Sequence, residues 1–388
     1  MIDARSQSSR RLLTKKVLHT VRARRQCLSE VFLSTLLLAL TLLITALVGE
    51  MALRFIHWYR VSPLTLDETL GWRASENYRI DGFHENADGT QYPTHITQNE
   101  YGFRMFGDVR SKSSKILVIG DSFTHALQVS DDKTYYSYIR DALHTEVFAY
   151  GGDGYSTLQE YMILNRYFDL IKPDLLLWQY CENDFINNSA ELESESKINN
   201  NGLVRPYWMN GEIVYVLPKK YSANIRHFAL EYSRLLYLIF SRLDIILGHI
   251  HLATVETQIG TEGASHPGFA RSVLVTDDLM SKVKARVGHV PVVAFIVGRG
   301  YGVDEFRKIS SRHGILYLDD VETAIQSAKA KGIVVTARDT AHWNETGHQI
   351  AGEVLAKYLK QLCLLDSCNH LAPKKVLRGG ATNITLES

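Results

Sequence analysis

From Lys115 onward the apolar positions follow two rhythms. Ile116 to Ile119, "ILVI", is a continuous apolar run of the kind that forms a strand buried on both faces. "KTYYSYIRDALH" (133–144) has the spacing of an amphipathic helix. "EVFAY" (146–150) predicts a second strand, "STLQEYMILNRYFDLI" (156–171) a helix, and "DLLLWQY" (174–180), introduced by Pro173, a third strand. The alternation resumes with "VPVVAFIV" (290–297), a helix near 303–312, "ILYLDD" (315–320), a helix near 321–331 and a last helix from Thr346 to Leu362. Apolar strands separated by helices predict a parallel sheet covered on both faces, a three-layer α/β/α sandwich over 111–365.

Between these halves the pattern breaks. Residues 185–265 read as an insertion with one or two helices, its aromatic part "FALEYSRLLYLIFSRL" (228–243) serving packing and its polar run 187–201 forming a solvated loop. Residues 56–110 hold Gly, Asn and Asp clusters without a sustained period and read as an extracytoplasmic connecting region that packs on the main domain. The tail 366–388 reads as loosely ordered.

Upstream, "VFLSTLLLALTLLITALVG", Val31 to Gly49, contains no charge. At about 1.5 Å per residue it approaches the ~30 Å hydrocarbon core of a bilayer, so a transmembrane helix is expected within 31–55. The segment 1–30 carries eight Lys/Arg against Asp3 and Glu30. The positive-inside rule then places the N-terminus in the cytoplasm and the main domain across the membrane, on the extracytoplasmic side, which is the periplasm if the cell is Gram-negative. Trp58, Tyr59 and Arg60 suit the far interface. A cleaved signal peptide is the main alternative. The long basic head and the lack of a clean A-x-A site before Glu50 speak against it.

The net charge is only +1, and the remainder of the chain carries 35 basic and 40 acidic residues, so nothing points to a nucleic-acid partner. Of four cysteines, Cys27 falls on the cytoplasmic side and Cys181 ends a predicted strand. Cys363 and Cys368 are placed to pair in an oxidising compartment. Their spacings match no zinc pattern.

Chemistry gathers where the strands end. Gly120-Asp121-Ser122 follows the first strand at once, at the edge where open α/β sheets bind ligands. A serine nucleophile needs a base, and the base an orienting acid. "RDTAHWNETGH" supplies Asp339 and, three residues later, His342, just before the last helix. Two loops offer donors for an oxyanion: "AYGGDGYST" with Gly151, Gly152 and Gly154, and "CEND" with the Asn183 carboxamide. Taken singly, each reads as a cap or a turn; together they supply a nucleophile, an acid–base pair and two donors on one rim. His125 follows Ser122 too closely to be its base, and His348 receives no role.

These blocks resemble the SGNH hydrolases, also called the GDSL esterase/lipase family, over about residues 112–362. The first block is "GDSFT", the second contributes Gly154 in "GGDGYST", the third is Cys181-Glu182-Asn183-Asp184, and the fourth is Asp339-Thr340-Ala341-His342. The resemblance implies a flavodoxin-like sandwich. It makes Ser122 the nucleophile, His342 the general base and Asp339 its orienting acid. The oxyanion hole would be formed by Ser122 N–H, Gly154 and Asn183, and no cofactor or metal would be needed. Two positions depart from the family's pattern: Ala149 stands where an Asn is frequent, and Cys181 replaces the third-block glycine. "LGW" (70–72) and "NEYGFR" (99–104) resemble membrane-anchored bacterial members associated with envelope polysaccharides. The expected substrate is an acylated small molecule or carbohydrate, acetyl being one candidate acyl group. An O-acyltransferase with the same triad and a catalytically degenerate polysaccharide-binding module stay open alternatives. The oligomeric state is not legible.

Overall fold

The computed structural model describes residues 30–55, 63–217 apart from 197, residues 225, 228–229 and 232–249, and 254–362 apart from 299. The expectations on the basic segment before Glu30, on Trp58, Tyr59 and Arg60, on Cys27, Cys363 and Cys368, and on the tail 366–388 lie outside the described residues.

The chain divides into two compact units. The first holds helix α1, Glu30–Phe55, 26 residues with a mean hydropathy of 2.6 in its most apolar window. It is long and apolar enough to cross a membrane, and its apolar side chains are exposed along its length. Thr35, Thr41 and Thr45 donate their hydroxyls to carbonyls four residues back, at 2.7–2.8 Å. Polar groups on an apolar helix are satisfied internally in this way, because hydrocarbon offers them no partner.

The second unit begins with two antiparallel pairs, β1 (Leu64–Asp67) with β2 (Gly71–Ala74) and β3 (Arg79–Glu85) with β4 (Gln91–Thr97). Residues 63–97, read from the sequence as lacking a period, are thus largely strand. In β4 the inward positions are Tyr92, Thr94 and Ile96, and the polar threonine masks the two-residue alternation.

The main sheet follows. Its strands are β5 (Met105–Phe106), β6 (Lys115–Gly120), β7 (Glu146–Gly151) and β8 (Leu175–Cys181), with β11 (Val292–Val297) and β12 (Leu316–Tyr317) after the insertion. The spatial order is β12-β11-β8-β6-β7-β5, with five parallel strands and β5 antiparallel at the edge. Side chains alternate between two cores, as the pleat requires. Leu117 and Ile119 of β6 pack with Ile163 and Leu164 of α4 (Thr157–Ile171), Met280 and Val283 of α9 (Pro267–Val287) and Phe306 of α10 (Val303–Arg312). Ile116 and Val118 pack with Tyr135 and Ile139 of α3 (Tyr135–Leu143), Ile325 of α11 (Asp320–Ala330) and Leu355 of α12 (Glu345–Leu362). The three layers are those expected. Helix α9 is an addition, since the sequence reading assigns no element to 266–289; its inward face includes Ser272 and Thr276, which interrupt the apolar stripe.

The insertion also holds more than one or two helices. Among the described residues it contains α5 (Asp184–Asn187), α6 (Ala190–Glu195), the hairpin β9 (Arg205–Met209) and β10 (Glu212–Val216), α7 (Arg234–His249) and α8 (Val255–Glu262). The hairpin turns at Asn210-Gly211, both with positive φ, the signature of a tight turn between twisted strands. The run 187–201 is not a solvated loop. Asn187, Asn188, Leu192, Glu193, Ser196 and Asn200 are buried. Glu193 is satisfied inside: Arg205 Nε lies 2.7 Å from its Oε2, the Tyr207 hydroxyl donates to it at 2.8 Å, and the Arg205 guanidinium stacks on Trp72. Polar residues that pair with one another bury without an apolar signature.

Candidate active site

Strand β6 runs through the middle of the sheet and ends at Gly120. A Cβ there would lie 2.3 Å from Gln179 Oε1 and 2.5 Å from Thr124 Oγ1, so the close packing at the strand end leaves room only for glycine. Asp121 caps the short helix α2 (Ser122–His125) by accepting from Phe123 N–H at 3.0 Å. Ser122, the first helical residue, is partly exposed.

The turn before α12 brings the other partners. Asp339 Oδ1 accepts the backbone N–H groups of Ala341 and His342, each at 3.0 Å. Its Oδ2 meets His342 Nδ1 at 2.7 Å, and His342 Nε2 lies 2.8 Å from Ser122 Oγ. With Asp339 ionised, the imidazole proton sits on Nδ1 and the Nε2 lone pair faces the serine hydroxyl. Thr340, with φ +60, makes the turn that lets one carboxylate reach both backbone and ring. Phe123 packs beside the imidazole; its ring lies 5.2 Å from it and 5.0 Å from Trp343.

Charge acts on His342 in opposite directions. Desolvation works against the imidazolium. The hydrogen bond and charge of Asp339, with Asp153 and Asp121 further off, outweigh it and hold His342 above the ordinary histidine value. Desolvation likewise raises Asp339, but its bonds to His342 and Ala341 hold it below the usual carboxylate value. Burial, assisted by Arg104 and His342, lowers His348 to about 3; it is a neutral core residue that accepts Tyr135 N–H at 3.3 Å.

The two remaining site residues lie just past the ends of the strands flanking β6. Gly154, with φ +64, is in the loop after β7, and Asn183 is in the turn after β8. Asn183 Nδ2 donates to Asn187 Oδ1 at 3.2 Å, which uses one of its two hydrogens. Cys181, which stands in place of the third-block glycine, is buried in the core with Val297 and Leu318. Burial, with Asp121 and Asp184 nearby, pushes its thiol well above the ordinary value. Among the described residues no group of His, Cys, Asp and Glu is placed to hold a metal ion.

Sequence reasoning missed several residues around the site. His125 is buried, with Nδ1 2.7 Å from Asp153 Oδ1 and Nε2 2.6 Å from the Gln98 carboxamide. Trp72 Nε1 donates to Asp153 O at 2.9 Å, and Arg104 donates to the carbonyls of His125 and Ala126 at 2.5 and 2.6 Å. The pair β3–β4 supports the opposite side, where Arg338 N–H donates to Glu85 O at 2.8 Å and Asn344 Nδ2 to Asn86 Oδ1 at 2.7 Å. Trp72 and Arg104 fall within the segments "LGW" (70–72) and "NEYGFR" (99–104) singled out in the sequence; Gln98 lies just before the second and carried no signal.

No protein-family model matches the chain, and no curated protein matches it. Solved structures do. An alpha/beta hydrolase enzyme from the metagenome of Lake Arreo shares 15% identity over 65% of this chain and 98% of its own, with a TM-score of 0.34. The lipase/acylhydrolase from Enterococcus faecalis shares 12% over 68% of this chain and 100% of its own, with a TM-score of 0.35. An acetyl xylan esterase from the rumen bacterium Butyrivibrio proteoclasticus shares 11% over 70% of this chain and 68% of its own, with a TM-score of 0.34. The solved structures to which the chain is similar thus include lipases and esterases.

Proposed function

We propose that the chain is a serine esterase of the SGNH type, acting through an acyl-Ser122 intermediate. The observation that carries this reading is the unbroken chain from Ser122 Oγ through His342 to Asp339, with contacts of 2.8 and 2.7 Å. Ser122 Oγ adds to the ester carbonyl carbon as its proton passes to His342 Nε2. Ser122 N–H, Gly154 N–H and the Asn183 amide hold the oxyanion. The bond from carbonyl carbon to alcohol oxygen then breaks, and His342 returns the proton to the leaving alcohol. A water, deprotonated by His342, adds to the acyl-serine carbonyl; the bond from carbonyl carbon to Ser122 Oγ breaks, His342 returns the proton to Oγ, and the acid leaves. Asp339 holds the imidazole in the tautomer that both steps use.

The substrate in this reading is an acyl ester, acetyl among the candidates, of a hydroxyl-rich alcohol such as a carbohydrate. What supports this is the asparagine-lined surroundings: Asn187 beside Asn183, and Asn201, whose Nδ2 lies 2.5 Å from where a Cβ on Gly154 would be. Helix α1 serves as the membrane anchor, with the catalytic unit on the extracytoplasmic side.

The test is reaction with a fluorophosphonate probe and with p-nitrophenyl acetate. Stoichiometric labelling at Ser122 with turnover is expected; absence of both would overturn the esterase reading. The pH profile tests the base. His342 is active when neutral and its pKa is raised, so activity should rise with pH through a midpoint above the ordinary value of about 6.5. A midpoint at or below that value would show that Asp339 does not stabilise the imidazolium.

A further inference from the structure

Two loops must keep a fixed distance for this chemistry: the turn that carries Ser122 and the glycine loop that carries Gly154. They are tied together by a pair that the triad does not use. His125, three residues after Ser122, is fully buried, and its Nδ1 meets the Asp153 carboxylate at 2.7 Å. Asp153 is the residue immediately before Gly154. Both ends of the pair are fixed from behind. The Gln98 carboxamide holds His125 Nε2 at 2.6 Å, and Arg104 takes the His125 carbonyl at 2.5 Å. The Asp153 carbonyl accepts Trp72 Nε1–H at 2.9 Å and Asn201 Nδ2–H at 3.4 Å. The loops also meet backbone to backbone, since a Cβ on Gly151 would lie 2.0 Å from His125 N.

The geometry points to His125 and Asp153 as positioning residues: their hydrogen bond braces the nucleophile turn against the oxyanion loop and sets where Gly154 N–H stands relative to Ser122 Oγ. As a statement about catalysis this rests on the esterase reading; as a statement about the loop it does not. The brace needs a donor on His125 Nδ1 and an acceptor at Asp153 Oδ1. A buried donor left without its acceptor seeks another partner, and the loop moves with it. Displacement of about 1 Å in a catalytic group costs up to about 10²-fold in rate.

The two levels are read separately in the full chain. Asp153→Ala removes the acceptor; Asp153→Asn keeps an oxygen at the same place and discards the charge. Amide hydrogen exchange of the peptide spanning 151–156 should quicken about tenfold or more in Asp153→Ala and stay close to the parent in Asp153→Asn, with the rest of the sheet unchanged. On p-nitrophenyl acetate, counted per fluorophosphonate-labelled site, Asp153→Ala should lose about 10- to 100-fold in kcat with KM within about twofold, and Asp153→Asn should recover most of the loss. Unchanged exchange in Asp153→Ala overturns the brace whatever the activity. Equal damage from both variants also overturns it, because charge rather than the tie would then matter. Faster exchange confined to 151–156 in a chain whose parent neither labels nor turns over would support the brace and reject the esterase reading.

Discussion

Replacing Ser122 by alanine should cost about 10⁴–10⁶ in kcat on any ester that the chain hydrolyses. The size follows from how the three side chains depend on one another. Ser122 Oγ is an ordinary alcohol unless His342 Nε2, 2.8 Å away, accepts its proton as the carbonyl is attacked. His342 presents that nitrogen because Nδ1 is held by Asp339 at 2.7 Å. Removing one member therefore removes the function of the others. His342→Ala should cost as much as Ser122→Ala, and the double variant little more. Asp339→Ala should cost about 10⁴ or somewhat less, since His342 without it still samples the productive tautomer. Asp339 also holds the turn itself through Ala341 and His342 N–H, so Asp339→Asn, which keeps the accepting oxygen, is the cleaner variant. The measurement is single-turnover acylation by p-nitrophenyl acetate. Near-parental acylation by Ser122→Ala would remove Ser122 as nucleophile, and additive losses in the double variant would show that the residues do not act as a unit.

What could be read from the chain, and what could not, divides along physical lines. Strands β6, β7, β8 and β11 are buried on both faces and therefore spell themselves out as apolar runs. Asp339 and His342 are three residues apart, so their contact is local and visible as spacing. Ser122 is marked by the abrupt end of an apolar run. The unread parts are those where burial is polar. β4 turns Thr94 inward, α9 turns Ser272 and Thr276 inward, and the run 187–201 buries Glu193 against Arg205. A hydropathy pattern has no term for a charge that is satisfied from another element. His125 and Asp153 are 28 residues apart, and they meet only because β6 and β7 are neighbours in register, Gly120 beside Gly151. That is a property of sheet order. Residues 63–106 belong to the same class. Read from the sequence as part of a connecting region, they place Trp72, Gln98 and Arg104 behind the Ser122 turn and the Gly154 loop, and Glu85 and Asn86 behind the Asp339 turn.

Asn183→Ala should lower kcat by about 10²–10³ while leaving KM within a few-fold, the signature of a donor engaged in the transition state more than in the ground state. The prediction depends on the amide being held in place before substrate arrives, and three neighbours hold it. Glu182 accepts Gly300 N–H at 2.7 Å, and Asp184 Oδ2 accepts Cys181 N–H at 2.8 Å, which pins the turn on both sides. Asn187 Oδ1 takes one hydrogen of the Asn183 amide at 3.2 Å and leaves the other for an oxyanion. Since Glu182 and Asp184 fix the backbone, alanine at 183 removes the donor without releasing the turn, and the melting temperature should change little. Asn187→Ala should cost less than Asn183→Ala, because it frees the amide to rotate but leaves it present. Asn183→Asp should cost more, since it sets a carboxylate where negative charge has to develop. Kinetics of the three variants on p-nitrophenyl acetate, with a boronic acid as transition-state analogue, separate these cases: loss of analogue affinity should track loss of kcat. A boronic acid that binds Asn183→Ala as tightly as the parent would take Asn183 out of the oxyanion hole and leave Gly154 and the Ser122 N–H to carry it.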